Sequence, residues 1–219
     1  MDWDFIMEHR QLYTEAAQLT VRIAAAGICG ALILGLICGV IRYYKVPVLH
    51  RVTGIYIELS RNTPLVVQLF FLYFGLPRAG IVLQSEICAA AGLIFLGGGY
   101  IAETFRSGLE SVEKVQTESG LSLGFRRIQI FFYILLPQAA AAAVPGIGAN
   151  VIFLLKETSV FSIVALADLM YVAKDLIGLY YKTDEALFLL AVCYLMILLP
   201  VSILFTLLER RLRYAGYGN

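Results

Sequence analysis

Residues 186–208 read ALFLLAVCYLMILLPVSILFTLL, 23 residues without a single charge. As a helix, a run of about 20 apolar residues covers the hydrocarbon core of a bilayer. The whole chain has the same character. Of its 219 residues, 60% are hydrophobic and 15% charged, and the mean hydropathy is +0.80. Soluble domains run at about 45–50% and about 25%, so the apolar excess here faces lipid. A net charge of +1 with no basic block excludes nucleic-acid binders. Cys29, Cys38, Cys88 and Cys193 lie inside apolar runs with no CxxC spacing and read as small buried hydrophobes. His9 and His50 stand alone, so no metal site is assigned.

Working back from the last run, four more stretches are expected to cross: 19–41, 63–82, 86–105 and 138–158. The segment before residue 19 is acidic, unlike the basic start of a signal peptide, so 19–41 is expected to be retained. Stretches three and four are rich in alanine and glycine, which let helix backbones approach closely, and are expected inside the bundle; the fifth is expected to face lipid. The run 159–167 is too short to cross alone and reads as an interfacial or buried re-entrant piece. Tyr171, Tyr180 and Tyr181 read as an interface belt.

Five crossings put the termini on opposite sides. Arg42, Lys45, Arg51 and Arg61 follow the first, Arg106, Lys114, Arg126 and Arg127 the third, and Arg210, Arg211 and Arg213 the fifth. The positive-inside bias places these eleven of 17 basic residues in the cytoplasm and the N-terminus outside.

Two places put polar groups against this apolar background. Residues 54–68 read GIYIELSRNTPLVVQ; Glu58, Arg61 and Asn62 share a helical face, and Pro64 predicts a break after Thr63. Two readings stand: a gate or substrate path, or a cytoplasmic amphipathic helix capped before the span with Arg61 snorkelling. Gln68, deeper in the run, requires an internal partner. The second place is Lys156-Glu157-Thr158, which reads equally as a site, an intersubunit pair or a helix end at water. Glu103 reads as an interface residue.

The longest polar stretch, 107–137, has the pattern of a helix over 107–123, with a Glu110–Lys114 pair, a turn at Gly124, and a second helix over 126–136 leading to Pro137 in a first turn. A rigid cytoplasmic knob of this kind suits docking to a protein partner.

Glu118-Ser119-Gly120, three residues, Gly124, nine residues, then Ile134-Leu135-Leu136-Pro137 resembles the coupling signature EAA-x3-G-x9-I-x-L-P of membrane subunits of type I ATP-binding-cassette importers, with Ser119 and Gly120 in place of the usual alanines. SRNTPLVVQLFFLYFGLP (60–77), GGYIAETFRSGLESV (98–112), LPQA (136–139) and LLKETS (154–159) resemble permeases of polar amino-acid uptake systems; Glu157 stands where aspartate is more usual. The resemblance covers most of residues 12–213. It implies an all-α permease in a prokaryotic cell membrane. Its partners would be a second membrane subunit, identical or a sister chain, two copies of a cytoplasmic ATPase, and an extracytoplasmic binding protein that delivers a polar amino acid. By match, Glu118, Ser119, Gly120, Gly124, Leu136 and Pro137 would carry coupling. Glu58, Asn62, Thr63, Gln68, Lys156, Glu157 and Thr158 are the candidates for lining the path. The resemblance implies no cofactor on this chain and no catalytic residue; ATP and Mg belong to the ATPase, and the chain carries no G-x-x-x-x-G-K-[ST] loop. The rival expectations are a self-sufficient secondary transporter or channel, set back by the lack of an internal repeat or of paired interrupted spans, and a transport-inactive structural subunit.

Overall fold

A computed structural model describes residues 1–214, with side chains to Leu212; the side chain of Arg213, in the third basic cluster, lies outside the described residues. Helix α1 (Trp3–Tyr43) starts at Asp2, whose carboxylate accepts the Phe5 N–H at 3.1 Å, and runs unbroken through the 19–41 stretch. Helix α4 (Ser85–Glu110) lies parallel beside it. Gly27 of α1 meets Leu93, Gly35 meets Ile101, and Gly39 meets Ala102 and Phe105, so the two helices advance together. Side chains larger than hydrogen at these positions would hold the backbones apart.

The α1–α4 pair gives a height scale for everything else. Helix α2 (Leu49–Asn62) sets Ile57 against Cys38 and Ala102, and its Tyr56 hydroxyl donates to the Phe95 carbonyl at 2.8 Å. Helix α3 (Leu65–Phe70) continues through a π turn (Phe71–Gly75) and a 3-10 turn (Leu76–Ala79), and seats Leu65 and Leu69 on Gly92. Together α2 and α3 climb antiparallel to α4, broken at Thr63–Pro64. The 63–82 stretch is therefore only the upper part of an ascent. Leu65–Ala79 is short for a crossing by itself, and the climb begins in α2.

Helix α7 (Leu136–Glu157) climbs the other side of α4: Ala139 and Ala143 meet Gly108, Gly146 meets Thr104 and Leu154 meets Gly97. A 3-10 helix (Thr158–Val164) extends it, with Phe161 and Val164 fully buried. Beyond it the Leu169 N–H reaches the Thr20 hydroxyl at 3.3 Å. Within 159–167, Phe161, Val164 and Leu166 are buried, in keeping with the buried reading; the 3-10 helix prolongs α7 as far as Val164, and left-handed Ala165 (φ +54°) turns the chain toward α8. Helix α8 (Leu169–Tyr180) is capped by the buried carboxylate of Asp168, which burial pushes up to about 6. Helix α9 (Thr183–Tyr214) descends along the outside, with Phe205 against Gly148. At the upper end Tyr13 donates to the Ala186 carbonyl at 2.8 Å and Lys182 pairs with Asp2 at 3.1 Å.

Among the described residues, four helical stretches are long and apolar enough to span a membrane: Trp3–Tyr43, Ser85–Glu110, Arg127–Val164 and Thr183–Leu212. Over their most apolar windows 44%, 56%, 28% and 17% of residues are buried, respectively. The third stretch of the sequence is therefore the most enclosed and the fifth the least, as expected. The fourth is less enclosed than α1, because α4 and α9 cover only part of its alanine-rich surface. Cys29 also departs from expectation: it faces outward, whereas Cys38, Cys88 and Cys193 are buried.

Candidate functional site

Below α4 the chain forms an elbow. Helix α4 ends at Glu110, residues 111–113 break it, and α5 (Lys114–Ser122) and α6 (Arg127–Ile130) flank Gly124. The single helix expected over 107–123 is thus two. The Glu110–Lys114 pair does not form, because the helix stops between its partners. Glu110 instead turns back to Arg106 at 2.6 Å, which also holds Glu103 at 2.7 Å. Helix α5 closes with paired backbone bonds, Phe125 N–H to the Gly120 carbonyl (3.1 Å) and Gly124 N–H to that of Leu121 (3.0 Å), which require a left-handed residue between them. Gly124 supplies it with φ +83°, and a side chain there would meet nothing within 4 Å. Only the backbone demands glycine.

Gly120 faces inward, where a Cβ would lie 2.9 Å from Ile130 Cγ1. Ile130 joins Leu109, Leu135 and Ala139 in a small core that ties the elbow to α4 and α7. Glu118 and Ser119 point outward, Leu136 is half-buried and Pro137 exposed. Pro137 does not begin a new helix. A π turn (Phe131–Leu135), in which the Leu136 N–H bonds back to the Phe131 carbonyl, carries the helix through from α6 to α7 and widens it where the ring enters. The outer face presents Leu123 (77% exposed), Ile128, Phe132 and Tyr133.

The second part of the site is the break in the α2–α3 ascent. Pro64 has no N–H, so the Ser60 carbonyl loses its helical partner. Gln68 replaces it: Nε2 donates to the Ser60 carbonyl (3.1 Å), the Thr63 carbonyl (3.1 Å) and the Thr63 hydroxyl (3.0 Å), while Oε1 is buried without a partner. The Asn62 amide donates to the Glu58 carbonyl and carboxylate at 2.8 and 3.0 Å, on an exposed face. Just before the break, Ser60 packs onto Gly99, where a Cβ would overlap its hydroxyl; just after it, Leu65 sits on Gly92. One face of the break, Ser60 and Leu65, packs on α4, while Arg61, Asn62 and Pro64 are exposed.

Lys156 is exposed, Glu157 half-buried and Thr158 fully buried, its hydroxyl donating to the Leu155 carbonyl at 2.8 Å and lying 3.3 Å from that of Tyr194. Here α7 tightens into the 3-10 helix. The two interruptions share one core, formed by Leu65 and Leu69 on one side and Leu154, Phe161 and Val164 on the other. Only the first is a break, at Thr63–Pro64; α7 passes into its 3-10 helix as one continuous stretch to Val164. Thr63 and Gln68 also line an apolar hollow of about 500 Å³ with Phe71 and Phe95.

One feature escaped the sequence reading. A cleft of about 530 Å³ opens between the end of α2, α4 and α7, lined among others by Arg61, Tyr100, Glu103, Thr104, Arg106 and Asn150. Arg61 lies 5.2 Å over the Tyr100 ring, and Asn150 donates to the Thr104 hydroxyl at 2.8 Å. An amide inside the alanine-rich stretch was the available signal.

The chain matches, over residues 31–214, the model of the family described as "binding-protein-dependent transport system inner membrane component". It is 34% identical over 214 residues to the glutamine transport system permease protein GlnP of Escherichia coli (strain K12), covering 97% of this chain and 98% of that one. It is also 34% identical to the probable amino-acid permease protein YxeN of Bacillus subtilis (strain 168), over 96% and 95% of the two chains. Its fold superposes with a TM-score of 0.88 on a crystal structure of an amino acid ABC transporter with histidines, at 27% identity and over 96% of this chain and 99% of that one. An inward-facing MetNI methionine ABC transporter structure shares the fold at TM-score 0.80 and 17% identity, over 94% and 98%.

Proposed function

The chain belongs to the family of binding-protein-dependent transport system inner membrane components, and from that premise we propose that it is the membrane-spanning subunit of an ATP-driven importer of polar amino acids. Five crossings fit the heights described above: α1, the broken α2–α3 ascent, α4, α7 with its 3-10 extension, and α9. The positive-inside bias orients them with the N-terminus outside and the elbow in the cytoplasm of a prokaryotic cell. Two such subunits, alike or paired with a sister chain, enclose the path, and an extracytoplasmic binding protein delivers the solute. ATP and Mg act on two copies of a separate ATPase.

The observation that carries this reading is the elbow. Its turn is fixed by Gly124, its base is tied to α4 and α7 by a small core, and its outer face leaves large apolar side chains exposed. A rigid body with an uncovered apolar face, attached to the two helices that line the cleft, transmits a push from a partner. Glu118, Ser119, Gly120, Gly124, Leu136 and Pro137 serve that coupling. Glu58, Asn62, Thr63, Gln68, Lys156, Glu157 and Thr158, around the Thr63–Pro64 break and the tightening of α7, line the path. The test is reconstitution with its ATPase and binding protein in liposomes, measuring uptake of a labelled amino acid with and without ATP. Uptake that requires all components is the expected result.

The one broken ascent, at Thr63–Pro64, also suits a self-sufficient secondary transporter. That reading predicts gradient-driven uptake by this chain alone, and such uptake would sink the importer assignment.

A further inference from the structure

We propose that the pocket between the end of α1 and the elbow is a binding site for an anionic phospholipid, with Arg127 taking its phosphate and the outer face of α1 carrying its chains. From the reading above it takes only the cytoplasmic side of the elbow, not ATP-driven import.

The pocket holds about 140 Å³. Tyr43 and Tyr44 line it from the end of α1, Thr117 from α5 and Arg127 from the first turn of α6, with Ile130 and Leu135 among its apolar residues. No carboxylate lines it. Arg127 is exposed and makes no ion pair or side-chain hydrogen bond among the described residues. It stands close enough to Tyr44 for its charge to act on that hydroxyl. A guanidinium with its fork of donors unused, in one pocket with the hydroxyls of Tyr44 and Thr117, matches the paired oxygens of a phosphate. The volume admits a phosphodiester and not hydrocarbon chains, which must lie outside.

The place for those chains is set by α1. Ile33 and Ile37 are four residues apart and Tyr44 is seven further on, so the three share one side of the helical path. All three are exposed, while the opposite side of α1 meets α4 through Gly35 and Gly39. The exposed side is thus an apolar stripe at membrane depth that ends on a tyrosine beside an unpaired arginine. That is the layout of a phospholipid, chains in the hydrocarbon and headgroup at the basic, cytoplasmic interface. A free phosphate would engage the arginine and leave the stripe bare. The Tyr44 ring also lies 5.9 Å from that of Phe131 in the elbow, so a lipid seated here touches α1 and the elbow together and tethers the lever to the inner leaflet.

The experiment uses the full-length chain in the complex with which it purifies, stripped of native lipid in detergent. It is titrated calorimetrically with dioctanoyl phosphatidylglycerol, dioctanoyl phosphatidylcholine and inorganic phosphate. Neither ATP nor solute is present, so a failure of import leaves the result untouched. Wild type is expected to bind the phosphatidylglycerol about tenfold or more tightly than the phosphatidylcholine, the worth of a charge-assisted hydrogen bond. Arg127→Gln should abolish that preference, and Arg127→Lys should recover part of it, because a lysine keeps the charge and loses the fork. Lys45→Gln, which removes an exposed cation outside the pocket, should change the preference by less than about twofold. Ile37→Ala should weaken both lipids alike, by about threefold. Four results would overturn the proposal. They are equal affinity of wild type for the two lipids, an unchanged preference in Arg127→Gln, an equal loss in Lys45→Gln (diffuse attraction to a basic surface), or displacement of the phosphatidylglycerol by millimolar inorganic phosphate with no effect of Ile37→Ala (a free-anion site).

Discussion

The elbow and the interrupted core solve opposite problems. Between residues 111 and 137 the fold is held by local bonds around one left-handed glycine, and most side chains face solvent. Around Thr63–Pro64 and Glu157–Thr158 local bonds are joined by distant contacts: Gln68 reaches back eight residues to Ser60, Ser60 packs on Gly99 of another helix, and Thr158 lies 3.3 Å from the Tyr194 hydroxyl. A locally determined unit can move as one piece without unfolding. A unit held by cross-helix contacts of hydrogen-bond length can only switch between discrete packings. The difference suits a lever at one end and a path at the other.

Substitutions at the core should therefore cost the fold, and those at the elbow's turn should cost function alone. The largest effect is expected for Gly99→Val, where the new side chain would occupy the space of the Ser60 hydroxyl and force α2 off α4. Overpacking of this sort costs about 1–3 kcal/mol or more, and the readout is loss of monodisperse protein in detergent; adding Ser60→Ala should restore part of it. Were the single variant to purify like wild type, the α2–α4 contact would not be what holds the break in the bundle.

Gly124→Val comes next. The subunit should insert and purify normally, yet lose binding-protein-stimulated ATP hydrolysis, since a β-branched residue in the left-handed region costs about 1–2 kcal/mol and distorts the turn. Gly124→Asn should retain most of the stimulation, because asparagine tolerates that conformation and the space around the position is empty. Equal loss in both variants would point to a side-chain clash with a partner.

Gln68→Leu leaves the Ser60 and Thr63 carbonyls without their donor, a penalty of about 1–3 kcal/mol. A lowered melting temperature with reduced uptake is expected, and an unchanged melting point would mean that water serves those carbonyls instead. Gly120→Ala is expected to lower the melting temperature slightly: its Cβ would lie 2.9 Å from Ile130 Cγ1 and 3.1 Å from Ile134 Cδ1 in a buried core, and overpacking of about 1–3 kcal/mol outweighs the gain in helix propensity of about 1 kcal/mol. Smallest of all is the clasp at the upper end. The Phe5 N–H and Lys182 hold the Asp2 carboxyl below the usual carboxylate range, so its contribution is complete above about pH 4 and fades as pH falls through the depressed value. Hydrogen exchange over residues 3–8 at pH 3 and pH 7 measures it.

Much of the elbow was legible, because its determinants are local. A glycine where a helix must turn left-handed, and a fixed spacing to Leu136-Pro137, can be read along the chain. Its errors were local too: the break at 111–113 carries no proline or glycine, and nothing in the sequence says that Glu110 will choose Arg106 over Lys114. Pro64 announced its break, since a missing N–H acts wherever it stands, and Gln68 announced a need for a partner without saying which.

The sequence by itself determined that this chain is a bundle of membrane-length helices with a basic end and an elbow, because hydropathy, charge and backbone freedom belong to single residues and short windows. Only the tertiary structure decided that α2 packs antiparallel to α4, that a 3-10 helix prolongs α7 to Val164, and that Arg61, Tyr100 and Asn150 share one cleft. Those facts depend on the height at which each helix meets its neighbours, and height is set by pairs such as Gly99 with Ser60 and Gly108 with Ala139, which no periodicity along one segment can reveal.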